Sequence, residues 1–167
     1  MTNLHSVKSK KAKDLAERIA KGAKALELFV KNLSESDWQT PVLVDGRTIG
    51  VVVHHVASSY PMEIELAQTL ASGQPITGAT MDVVDQINAD HAEKYASVNK
   101  KETLELLKQN SLAAADSVRK LSDAQLEKAA PVSLNADAPL TAQFFIEDHA
   151  LRHSYHHLAR IRETLGL

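Results

Sequence analysis

The stretch that most constrains this chain runs from Thr48 to Ala71. It opens with Ile49-Gly50-Val51-Val52-Val53-His54-His55-Val56, and β-branched residues of that kind pack well on a pleated strand. The apolar positions do not stop there. They continue at i+3/i+4 spacing through Tyr60, Ile64, Ala67 and Leu70, a reach that suits a helix and overshoots a typical strand. Thr48 supplies an N-cap. The segment therefore reads as one long helix to about Ala71, with Pro61 expected to kink it or split it in two.

The rest of the chain repeats the same periodicity. From about Val7 to Leu33, Leu15, Ile19, Leu26, Val30 and Leu33 recur among Lys and Glu, an amphipathic helix that ends at the polar Ser34-Glu35-Ser36-Asp37,. Pro41 to Gly46 is a connection, in which Val42-Leu43-Val44 reads as a short extended piece and Asp45-Gly46 as a turn,. After a loop over Ser72–Gly78, a third helix from about Met81 to Ser97 places Val84, Ile87, Asn88, His91 and Tyr95 on one stripe. A fourth, from about Glu102 to Leu121, turns Leu104, Leu107, Ala114, Val118 and Leu121 inward,. Ser122-Asp123-Ala124-Gln125-Leu126 is a capped short turn, and Pro131 to Pro139 an irregular connection. The last helix covers about Thr141 to Leu165, with Gly166 as its cap,. Long helices and no convincing sheet predict an all-α, up-down four-helix bundle with additional short helices, forming one domain over residues 1–167,.

Composition narrows the function classes. A formal charge of −2 leaves no electrostatic footprint for nucleic acid. The early lysines (Lys8, Lys10, Lys11, Lys13) are interrupted by Asp14 and Glu17 and read as a solvated helix face,. No apolar run reaches the ~20 residues of a membrane span. Near the start, charges separate Leu15, Ile19 and Leu26, so a signal-peptide core is not expected and the cytoplasm is the expected compartment. With 0 cysteines, Cys nucleophiles, disulfides and thiolate metal sites are excluded together.

The chemistry then falls to the 8 histidines. His149, His153, His156 and His157 crowd the last helix, and His54 and His55 sit in the second. On a wheel, Leu140, Phe144, Leu151, Leu158, Ile161 and Leu165 set the apolar centre of the last helix. His157 lies roughly 80° from it, His153 roughly 120°, and His149 and His156 roughly 160–180° away toward solvent. His55 is nearer the apolar direction of its helix than His54. His153 and His157, four apart, suit two imidazoles converging on one ion, with His55 as the third donor. Ser59, Asn88 and His91 border the same region as further candidates, and Arg160 follows one turn after His157.

Two familiar metal sites are excluded by neighbours. A zincin needs Glu after the first His of the pair, where this chain has Ser154 or Ala150,. Carboxylate-bridged di-iron bundles need Glu-x-x-His on two helices, and no Glu here precedes a His by three. A haem held by His55 and His153 would leave His157 unused. Three neutral imidazoles on a divalent ion keep a coordination position open for water or substrate, as in catalytic sites. Zinc, nickel, cobalt and iron(II) all accept such donors.

Thr48-Ile49-Gly50-Val51-Val52-Val53-His54-His55-Val56, followed by His153-Ser154-Tyr155-His156-His157-Leu158-Ala159-Arg160-Ile161, resembles the DinB/YfiT-like superfamily of metal-binding helical bundles. The resemblance places the metal ligands on His55, His153 and His157, the residues the wheel selects. It departs where the family often carries Gln three residues after the last ligand and this chain has Arg160. It implies a divalent metal, often zinc or nickel, and a homodimer. It also implies kinship with transferases and an isomerase that use low-molecular-weight thiols such as bacillithiol, mycothiol or glutathione.

Three readings follow. The first is an S-transferase-type enzyme acting on a small molecule, in which the metal activates a low-molecular-weight thiol against an electrophile. Arg160 would then hold a carboxylate. The second is a metal-dependent hydrolase using activated water, and the third a non-catalytic, stress-related metal-binding protein whose histidines contribute folding energy.

Overall fold

The computed structural model describes residues 9–167. The expected helix start at Val7, and Lys8 of the lysine-rich face, lie outside the described residues. Helix α1 spans Lys10–Lys31, α2 Glu35–Trp38, α3 Ile49–Ala71, α4 Met81–Lys94, α5 Lys100–Arg119 and α6 Asp123–Glu127. Strands β1 (Ala129–Val132) and β2 (Ala138–Thr141) follow, then α7 (Ala142–Ile146), a π-helical turn (Glu147–Leu151) and α8 (Arg152–Leu165).

The all-α bundle expected from periodicity is the fold observed. Its core lies between α1, α3, α5 and the α7–α8 unit, and includes Ile19, Leu26, Ile49, Val52, Leu107 and Ile161. Helix α1 packs on α5 and α8, and α3 also packs on α5 and on α7 and α8. Successive long helices α1 and α3 thus face each other across the core. Helix starts follow the sequence signals: Thr48 Oγ1 accepts from the Val51 N–H at 3.3 Å. Ser34 and Ser122 each close a capping box, with Asp37 and Gln125 respectively,. Trp38 is buried against the first turn of α3, where a Cβ on Gly50 would fall 2.6 Å from its ring. No helix among the described residues is long and apolar enough to cross a membrane.

The structure sharpens or corrects three expectations. First, of the two outcomes expected at Pro61 the split is excluded, because α3 is one helix through Ala71. A proline lacks the N–H that the carbonyl four residues earlier would receive. Here Asn110 Nδ2, on α5, donates to the Ala57 carbonyl instead at 2.8 Å. Second, the Pro131–Pro139 connection contains a hairpin, β1 against β2, with Pro131 opposite Pro139. Ile76 extends its edge, donating to the Pro131 carbonyl and accepting from the Ser133 N–H, both at 3.0 Å. A two-stranded ribbon has only edge strands, the one place in a sheet that proline tolerates.

Third, the last helix is interrupted. The π-helical turn at Glu147–Leu151 adds a residue to the repeat and shifts the inward face,. Phe144, placed on the apolar centre by a uniform wheel, is 48% exposed, and Phe145 and Ile146 are buried instead. Helix α4 buries none of its residues, and Val84, Ile87, Asn88 and His91 of its one stripe line a common cavity.

Candidate metal centre

His55 comes from the middle of α3; His153 and His157 stand one turn apart on α8. One ring nitrogen from each lies within 4.8 Å of the others. The Nε2 atoms of His55 and His153 are 3.1 Å apart, so a proton or a cation must sit between them. Two ligands at about 2.0–2.1 Å from a tetrahedral zinc ion would be about 3.3 Å apart. The observed separation fits such an ion.

Electrostatics favours the metal-binding form. Burial, and then the neighbouring His153, push His55 down to about 2. The same two influences, in the same order, push His157 to about 3. Imidazoles this close repel a second positive charge, so both stay neutral with lone pairs available. His157 is 8% exposed, and its Nδ1 is buried without a partner. A buried unpartnered ring nitrogen requires an explanation, and a coordinated ion would supply one here.

The third histidine is oriented from behind. His153 Nδ1 lies 2.8 Å from Glu63 Oε1, and Glu63, two turns after His55 on α3, is only 6% exposed. A carboxylate on the far nitrogen of a ligating histidine fixes its tautomer and raises its basicity. The fully buried pair Tyr60 Oη and Ser154 Oγ, 2.6 Å apart, ties α3 to α8 one residue from His153. Burial, the largest influence, drives the Tyr60 hydroxyl well above the ordinary phenol range, so it acts as a neutral strut.

The remaining candidates divide. Ser59 lines the site, but its hydroxyl donates to the His55 carbonyl at 2.7 Å. Asn88 and His91 reach in from α4. His91 Nε2 lies 2.9 Å from His54 Nδ1, and its own Nδ1 is buried without a partner. Burial, then His54, hold His91 near 4. Arg160 is not among the side chains that line the cavity, and its guanidinium pairs with Glu163 at 3.3 Å. His156 is exposed, as expected. His149 is not directed to solvent: it is half-buried, stacked on Phe145 with ring centroids 4.1 Å apart.

Two participants escaped the sequence reading. Glu63 was detectable, since positions 55, 59 and 63 share one helical face. Arg47 carried no such signal. It precedes the Thr48 cap, and Asp45 grips it through Nε at 2.6 Å and Nη2 at 2.7 Å. Its Nη1 is buried without a partner, and its charge contributes to the depression of His55, His91 and His157.

The donors open into a cavity of about 710 Å³ bounded by α3, α4, the hairpin and the start of α8. That size is usual for small-molecule sites.

Comparison with known proteins identifies the family and the fold. The sequence profile of the DinB superfamily matches residues 18–161. YfiT from Bacillus subtilis, described as "a probable metal-dependent hydrolase with an unusual four-helix bundle topology", superposes with a TM-score of 0.75 at 21% identity. The match covers 98% of this chain and 91% of that one. The mycothiol-dependent maleylpyruvate isomerase superposes with a TM-score of 0.68 at 12% identity, over 96% of this chain and 63% of that one. At these identities the likeness concerns the fold. None of the curated proteins matches the sequence.

Proposed function

Since the chain belongs to the DinB superfamily, we propose that it is a metal-dependent enzyme acting on a small molecule. Its divalent ion, zinc or nickel, is held by His55, His153 and His157. The observation that carries the reading is the convergence of three imidazole donors, one backed by a buried carboxylate, at the wall of a ligand-sized cavity. A closed structural site would supply a fourth protein ligand.

When bound, the ion supplies Lewis acidity that favours the deprotonated form of a thiol or water at neutral pH. The chain's residues do the rest. Glu63, 2.8 Å from His153 Nδ1, would hold the ring's proton on that nitrogen and leave Nε2 free to ligate,. With His91 donating from Nε2 to His54, its Nδ1 lone pair is positioned to take the proton that the nucleophile releases. The reading we favour is S-transfer. An external low-molecular-weight thiol loses its proton to His91, its sulfur bonds to the electrophilic carbon, and the leaving group departs with that proton. The thiol must be external, because the chain has 0 cysteines. Hydrolysis is the second reading. It is favoured by the unpartnered Glu63 Oε2 and His91 Nδ1, both able to serve water as a base, and it matches the description of the Bacillus subtilis relative.

Metal analysis of the purified protein beside His55→Ala and His157→Ala tests the site. Near-complete loss of the ion is expected in both, and full retention refutes the assignment. A thiol panel with generic electrophiles, run beside ester and amide substrates, separates the two chemistries. We further propose a cytoplasmic homodimer, on the family premise, which light scattering checks directly.

A further inference from the structure

The cavity has a direction. Along α3 its lining runs from His55 through Ser58, Ser59 and Glu63 to Met62 and Leu66. At 1.5 Å per residue, His55 and Leu66 are about 16 Å apart along the axis. Helix α4 runs the opposite way. His91 touches His54 at the metal end, whereas Met81 and Val84 line the end beside the hairpin residues Val132 and Leu134. The polar groups of α3 and α4 gather at the histidines, and beyond them these two helices and the hairpin present aliphatic side chains, while Phe145, Asp148, His149 and Arg152 line the α7–α8 side.

Helix α4 itself is unexplained by the core. None of its residues is buried; Met81 is 58% and Ile87 45% exposed. Its apolar side chains nonetheless line the cavity. Leaving such groups half-solvated forgoes the stabilisation of burial, and a ligand lying between α3 and α4 would restore it. Along α3, α4 and the hairpin the far walls are aliphatic and thioether side chains, and Phe145, stacked on His149, adds one aromatic face from the α7–α8 side. The aliphatic majority favours a flexible chain over a flat ring.

We infer that the substrate is an amphiphile, with a reactive polar head at the three histidines and a medium-length aliphatic tail lying between α3 and α4 toward the hairpin. The tail is bounded by Leu66, Ile76, Val84, Ile87, Val132 and Leu134. The inference rests on the metal-dependent reading for the head but not for the tail.

Two ligand series test the halves separately by calorimetry. The first is butyrate, hexanoate, octanoate and decanoate on metal-free protein. The second is the matching hydroxamates, from acetohydroxamate to decanohydroxamate, on zinc-loaded protein. A buried methylene is worth about fourfold in affinity, so binding should tighten roughly threefold to fourfold per carbon in both series. Ile87→Asp and Val84→Asp, at positions outside the core, should flatten both slopes and leave acetohydroxamate binding intact; thermal melts verify that they fold. A flat slope on the unmodified protein, or an unchanged slope in both variants, overturns the tail. A steep slope with no gain from zinc upholds the tail and refutes the metal reading instead.

Discussion

Replacing Glu63 separates a metal-orienting carboxylate from an ordinary structural one, because the two roles predict opposite signs. Glu63 is buried and its one close partner among the described residues is His153, at 2.8 Å; its Oε2 has none. In metal-free protein this buried carboxylate has one partner and a second oxygen with none, a poorly compensated arrangement that is unfavourable to stability,. Glu63→Gln removes the charge and keeps the shape, so metal-free stability should hold or rise. Metal affinity should move the other way. Gln Oε1 can take the place of the carboxylate oxygen beside His153 Nδ1, preserving orientation, but the ring loses the basicity a carboxylate induces. A loss of about tenfold, or about 1.4 kcal/mol, is expected for Glu63→Gln, and nearer a hundredfold for Glu63→Ala, which loses the orientation too. Zinc titration against a chromophoric chelator gives the affinities, and urea unfolding of metal-free protein gives the stabilities. Unchanged zinc affinity in Glu63→Gln would refute the argument, and so would a metal-free loss as large as the loss in affinity.

Other perturbations probe the supports of the site. Tyr60→Phe strands the fully buried Ser154 hydroxyl and should cost about 1–3 kcal/mol in urea unfolding, whereas Ser154→Ala added to it should recover a measurable part. Asn110→Ala should cost about 1 kcal/mol by freeing the Ala57 carbonyl,. Most of that should vanish when Pro61→Ala supplies the missing N–H, and additive losses would disprove the link. Metal-free protein should lose stability as pH falls below about 6.5, the unfolded histidine value. His55, near 2, and His157, near 3, stay neutral when folded, so the unfolded chain binds more protons. By pH 5 the loss is on the order of 2 kcal/mol per histidine, readable as a fall in Tm that His55→Ala reduces.

Much of this was legible in the sequence, for physical reasons that also mark where legibility ended. Helical periodicity is a local property of the chain, so the long helices, their caps and the inward face of α5 could be read directly. Ring order in the bundle depends on packing between distant segments, and no local pattern encodes it. The hairpin was hidden because Pro131 and Pro139 argue against a strand in general, and only a two-stranded ribbon suspends that argument,. Arg47 was hidden because a loop residue has no wheel to place it. Its position follows from the turn that Asp45 closes.

The last helix shows how a local irregularity makes the site. Without the π-helical turn, the buried Ile146 would be followed at helical spacing by His149, Ala150, His153 and His157, all turned toward the core centre. The added residue moves that face forward by one position, from Ile146 to Leu151, Ser154, Leu158 and Ile161. His153 and His157 are thereby rotated to the edge of the core, toward Glu63 and His55 on α3. The uniform wheel turned these two toward the cluster with His55 because its apolar centre was dominated by residues beyond the turn. It misplaced Phe144 and His149 because they lie before or within it. The irregularity in backbone hydrogen bonding is therefore what lets one helix bury its apolar residues in the bundle and still present two imidazoles to a cavity.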